Sequence, residues 1–74
     1  MTLADARPGK KYVVVDIAGG RRVYQYLYDL GVVPGAVVEV LSSSFFRGPV
    51  RIRVGGTDIA LGRGVALKVI VREA

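Results

Sequence analysis

Seventy-four residues are too few for two independent cores, so one domain over residues 1–74 is expected. The chain has no cysteine and no histidine, which excludes disulfide staples, Ser–His or Cys–His nucleophile pairs and soft-metal sites. At 51% hydrophobic and 23% charged residues it is no disordered tail, and its net charge of +5 reads first as a solubility margin.

From the N-terminus, Thr2-Leu3-Ala4-Asp5 has the form of a capping box and predicts one helical turn whose Leu3 enters the core. Arg7-Pro8-Gly9-Lys10 is a turn. Residues 11–17, KYVVVDI, form a β-rich strand whose valine run lacks clean alternation, which calls for burial on both faces or a bulge. Gly19-Gly20 then breaks the strand, and residues 21–30 carry Val23, Leu27 and Leu30 at helical spacing, with Tyr26 at the stripe's edge. Tyr24 and Tyr28 lie four apart on the opposite flank beside Arg21. There they can cover the rim of the fold or offer a contact surface.

Gly31 falls where a helix ends in a left-handed residue, and Pro34-Gly35 suits the centre of a type II turn. The period then becomes two: Ala36, Val38 and Val40 face in and Glu39 faces out. Ser42 to Gly48 reads as a loop holding Phe45, Phe46 and Arg47. In Val50-Arg51-Ile52-Arg53-Val54 the alternation is clearest, and Gly55-Gly56 makes a two-residue hairpin turn into residues 57–61. Thr57, Ile59 and Leu61 share one side. Residues 62–66, GRGVA, read as a bend before a last strand over residues 68–72. Five short strands with glycine at the turns and one short helix after the first strand predict a mainly β fold, a small barrel closing its own edges.

Chemistry-bearing clusters are missing. The six carboxylates show no paired spacing, and Pro8-Gly9-Lys10-Lys11 lacks the earlier glycine and the following Ser/Thr of a phosphate loop. No catalytic residue, cofactor or metal ligand is indicated, and direct binding of a transition metal ion has no preferred cluster. Asp16, Asp29, Pro34 and Glu39 interrupt every apolar run short of the roughly 20 residues that span a bilayer. The N-terminus has no signal-peptide pattern. A cytoplasmic protein without membrane insertion is expected.

Several motifs nonetheless recur together. Leu3, Pro8-Gly9, Ile17 and Gly19-Gly20 precede Leu27-x-x-Leu30-Gly31-x-Val33-Pro34-Gly35. Then come Val38-x-Val40, Gly48-Pro49-Val50, Ile59-Ala60-Leu61 and Ala66-x-x-Val69-x-Val71. This pattern resembles the FeoA family of small SH3-like proteins nearly end to end. The resemblance implies an SH3-like five-stranded barrel without enzymatic activity, a cytoplasmic accessory docking on FeoB, the ferrous-iron transporter with a cytoplasmic GTPase domain. The family often has an acidic helix-forming stretch after its Ala-Leu element, where this chain has Gly62-Arg63-Gly64-Val65.

Three functions follow. As a docking module, the chain would use Arg21, Tyr24, Tyr28, Phe45, Phe46 and Arg47, since aromatic and arginine side chains dominate interface energetics. A nucleic-acid barrel would use Arg51 and Arg53 with Phe45 and Phe46 for stacking, but these aromatics are not interleaved with the arginines, so nucleic acid is disfavoured. A homo-oligomer would bury the same aromatics and Ile70 between copies. A stand-alone relative of the SH3-like domain of DtxR-type iron-dependent repressors is a further alternative, lacking their winged helix.

Overall fold

The computed structural model describes residues 1–43 and 48–74. Its strands are β1 (Lys11–Ile17), β2 (Val37–Ser43), β3 (Val50–Val54), β4 (Thr57–Leu61) and β5 (Val69–Glu73). They form one antiparallel sheet in the order β4-β3-β2-β1-β5. Helix α1 (Arg21–Asp29) joins β1 to β2, and a four-residue helix, α2 (Arg63–Ala66), joins β4 to β5. The fold is thus mainly β, as expected, with a second helical turn added.

Alternation places the core. Val38 and Val40, Val50, Ile52 and Val54, then Val69 and Val71 are buried from three strands, while Arg51 and Arg53 point outward. Val50 and Ile52 lose all their exposure, so each contributes the roughly 1.5–3 kcal/mol of a buried aliphatic side chain. β1 departs from alternation for a visible reason. Its register with β5 slips between Val14 and Asp16, so Val15 is an extra residue that faces solvent. Tyr12, Val14 and Ile17 consequently all face in. Of the two readings that the valine run allowed, the bulge is the one that forms.

The Thr2–Asp5 box also forms. Asp5 Oδ2 accepts from the Thr2 amide at 3.4 Å, and the resulting 3₁₀ turn drives Leu3 into the core at full burial. The same N-terminal segment shields β5, through a Thr2–Ile70 bridge and a hydrogen bond from the Val71 amide to the Met1 carbonyl at 2.9 Å. Among the described residues no ladder joins β4 to β5, so the barrel is finished by this segment and α2 rather than by strand pairing.

Three sequence expectations need correction. Residues 62–66 are not a bend. The Gly62 carbonyl accepts from the amides of Val65 (3.1 Å) and Ala66 (2.9 Å), and the helical turn so made buries Ala66. Ser42 and Ser43 belong to β2, because they pair with Arg51 and Val50 of β3. This pairing accepts a second register slip at Leu41. On the shared side of β4, burial increases from exposed Thr57, beside the hairpin turn, to fully buried Leu61. The last strand is shifted by one residue, because the Lys68 amide still bonds back to the Val65 carbonyl at the end of α2.

Candidate docking surface

The exposed side of α1 begins with what holds the helix down. Leu27 is fully buried, and Val23 and Leu30 pack half-buried beside it. The C-terminus closes as a Schellman motif: the Val32 amide donates to the Leu27 carbonyl (2.9 Å) and the Gly31 amide to Tyr28 (3.0 Å). Gly31 sits at φ +85°, where a Cβ would clash with its own backbone. Leu27 and Val32, both at zero exposure, supply the hydrophobic contact that accompanies such a cap. One face is therefore fixed, and the opposite face is committed to solvent.

That face carries three of the six residues singled out from the sequence, Arg21, Tyr24 and Tyr28. Tyr24 and Tyr28 stack on one another, with ring centroids 6.4 Å apart and planes 21° from parallel. They remain 42% and 58% exposed, so the rings do not seal the rim of the core. Arg21, one turn before Tyr24, is also exposed. Tyr26, assigned to the edge of the buried stripe, is 48% exposed because the anchored stripe is only as wide as Leu27 and its two neighbours. Arg22, which sequence reasoning left out, is exposed beside Arg21. Its position in the first turn was the available signal. Phe45, Phe46 and Arg47 lie outside the described residues.

The outer face of the sheet differs. Register aligns Lys11, Glu39, Arg53 and Asp58 across four strands in alternating charge. Arg53 Nε bonds Asp58 Oδ1 at 2.7 Å, its Nη2 reaches Oδ2 at 3.3 Å, and its Nη1 lies 4.0 Å from Glu39. The hydrogen bond from Arg53 holds the Asp58 carboxyl below its ordinary value against the cost of desolvation, and the positive charges of Arg53 and Arg51 lower it further. Likewise Lys10 bonds Glu73 at 2.8 Å, lowering the glutamate and raising the lysine. Of the two β3 arginines, Arg51 is left without an ion pair among the described residues.

An open groove of about 460 Å³ between the N-terminal turn and α2 was not anticipated; Ala4, Arg7, Ser43 and Arg63 are among its walls. Arg63 Nη1 donates to the Ala4 carbonyl at 3.3 Å, tying α2 to that turn. Among the described residues no three His, Cys, Asp or Glu side chains gather as a metal site. No described helix is long and apolar enough to cross a membrane.

Comparison with known proteins decides the family. The FeoA domain family model matches residues 1–73. The chain belongs to the FeoA family. A Methanocaldococcus jannaschii protein assigned by name to Fe(2+) transport, as transport protein A, is 36% identical over 72 residues, covering 97% of this chain and 85% of that one. The crystal structure of an iron uptake regulatory protein, FeoA, superposes with a TM-score of 0.94 at 42% identity, over 100% of this chain and 97% of that one. The zinc complex of Stenotrophomonas maltophilia FeoA, described as a prokaryotic SH3 domain protein, gives 0.85 at 26% identity over 97% and 89%. The FeoA barrel is therefore SH3-like. It also shares its fold, at 20% identity and a TM-score of 0.87, with 41% of a manganese-dependent transcriptional repressor.

Proposed function

We propose that this FeoA-family protein is a non-catalytic, cytoplasmic accessory of ferrous iron transport that docks on a FeoB-type transporter through the exposed side of α1. Membership of the family and the name of the M. jannaschii relative support the transport assignment. The Tyr24–Tyr28 stack carries the docking assignment: two rings, already ordered against each other, stand open on a helix whose other face is anchored. Ordered aromatics lose little side-chain freedom on binding, so most of the contact they make is retained as affinity. Arg21 flanks them, and Phe45, Phe46 and Arg47 extend the proposed contact set.

Titrating the chain onto the transporter in detergent tests this. Saturable binding that weakens in Tyr24→Ala and Tyr28→Ala, with the variants still folded, is the expected result. Binding unchanged in both variants moves the surface away from α1, first to Phe45 and Phe46. Nucleic acid is not favoured, because Arg53 is already committed to Asp58 and Glu39. A role like that of the repressor's SH3-like domain draws on fold alone.

A further inference from the structure

The docking reading leaves the chemistry of the partner open, and the charge along α1 bears on it. A helix has partial positive charge at its N-terminus and partial negative charge at its C-terminus, so its own field favours acidic residues first and basic residues last. α1 reverses this. It begins Arg21-Arg22 and ends Asp29, with no acidic residue in its first turn and no basic residue in its last. Its N-cap, Gly20, brings no side chain to help. Among the described residues neither arginine makes an ion pair, whereas Lys10 and Arg53 are both paired. Lys68 adds positive charge at the same end: a Cβ on Gly19 would come within 3.1 Å of the Lys68 Cδ, so the lysine stem lies over the turn that opens the helix. Asp29, at the far end, is held by Gln25 Nε2 at 2.9 Å.

This basic end costs the helix stability and receives no compensation from the described fold. Directly after it, on the same exposed side, come the stacked rings of Tyr24 and Tyr28. Resting on the docking reading above, we infer that the segment of the transporter that meets α1 is acidic, with carboxylates opposite Arg21, Arg22 and Lys68 and an apolar contact on the tyrosine stack. Such a partner supplies the negative charge that both the arginines and the helix N-terminus lack. A protein segment fits better than an anionic membrane surface. The exposed side also carries Asp29, which lipid phosphates would repel.

The test titrates four forms of the full chain onto the FeoB-type transporter in non-ionic detergent, at low and moderate salt. They are wild type, Arg21→Glu/Arg22→Glu, Tyr24→Ala/Tyr28→Ala and Arg51→Glu. Protein-free vesicles of anionic phospholipid form a separate arm. The double charge reversal is expected to bind at least about tenfold more weakly while its Tm rises, because glutamates suit the helix N-terminus. Arg51→Glu is expected to bind as wild type, wild-type affinity to fall with salt, and the vesicles not to bind. A double reversal that binds as tightly as wild type, with Tyr24→Ala/Tyr28→Ala still weakened, overturns the acidic partner and leaves the docking reading standing. Binding to the vesicles as tight as to the transporter overturns it in favour of lipid. Failure of wild type to bind the transporter at all overturns both.

Discussion

The outer face of β3 and the outer face of α1 both present arginines and both point away from one core, yet they treat their charges in opposite ways. On the sheet, register sets Arg53 between Glu39 and Asp58, so the strand partners satisfy the cation. On the helix, Arg21 and Arg22 stand at the end where the backbone itself is already positive, and the neighbouring rings are stacked but uncovered. The fold accounts for Arg53, while its strand neighbour Arg51 stays exposed. The proposed docking surface is the one whose charges oppose its own helix and whose aromatics stay wet.

That contrast can be broken or sharpened by substitution. The largest effect is expected at the helix anchor. Leu27→Ala removes a fully buried side chain and should lower stability by about 2–5 kcal/mol in a urea melt, a large share of the total for a small domain. A loss under about 1 kcal/mol would mean that α1 is not held as described. Gly31→Ala comes next. Nothing lies within 4 Å of the added Cβ, so the cost is that of the positive φ alone, about 1–2 kcal/mol. Tyr24→Ala should cost ~0.5 kcal/mol or less, the worth of an exposed pair four residues apart on a helix. The same substitution should weaken docking at least about tenfold. A severe stability loss in that variant would make the ring a structural element and erase the contrast.

The smallest effect is expected on the sheet. Asp58→Asn should barely move Tm at neutral pH, since the Arg53–Asp58 pair is exposed and solvent screens it. The pH dependence has a definite sign. Folded-state carboxyls at Asp58 and Glu73 lie below their ordinary values of 3.8 and 4.5, so their contribution is present above those values and fades as pH falls through the lowered ones. Lys10, raised above 10.5 by the same Glu73, contributes below 10.5 for as long as Glu73 is ionised, and stops contributing as pH rises through its folded value. Thermal melts between these limits should therefore be flat with respect to these two pairs. A marked dependence near pH 7 that vanishes in Asp58→Asn would contradict the assignment.

Much of this was legible because the signals are local. Val50, Ile52 and Val54 alternate with arginines, and Val23, Leu27 and Leu30 recur at helical spacing, so each element declares its own buried face. The irregular valine run of β1 left open burial on both faces or a bulge, and the bulge forms. What escaped was decided by partners distant in sequence. Ser42 and Ser43 have loop propensity but pair with β3, and tertiary pairing overrides propensity. Gly62-Arg63-Gly64 reads as a bend, yet Ala66 has a place in the core and Arg63 a carbonyl on the N-terminal turn, which makes α2 worth forming. The site was legible as residue types only. Spacing put Tyr24 and Tyr28 on one flank, but that flank's exposure depends on how narrow a stripe the sheet accepts.

Amide hydrogen exchange of the chain, free and bound to the FeoB-type transporter in detergent, tests the central claim most directly. Docking through α1 predicts slowed exchange across residues 21–29 on complex formation, with β3 unchanged. Protection of residues 50–54 with no change across α1 would contradict the account and assign the contact to the sheet face instead.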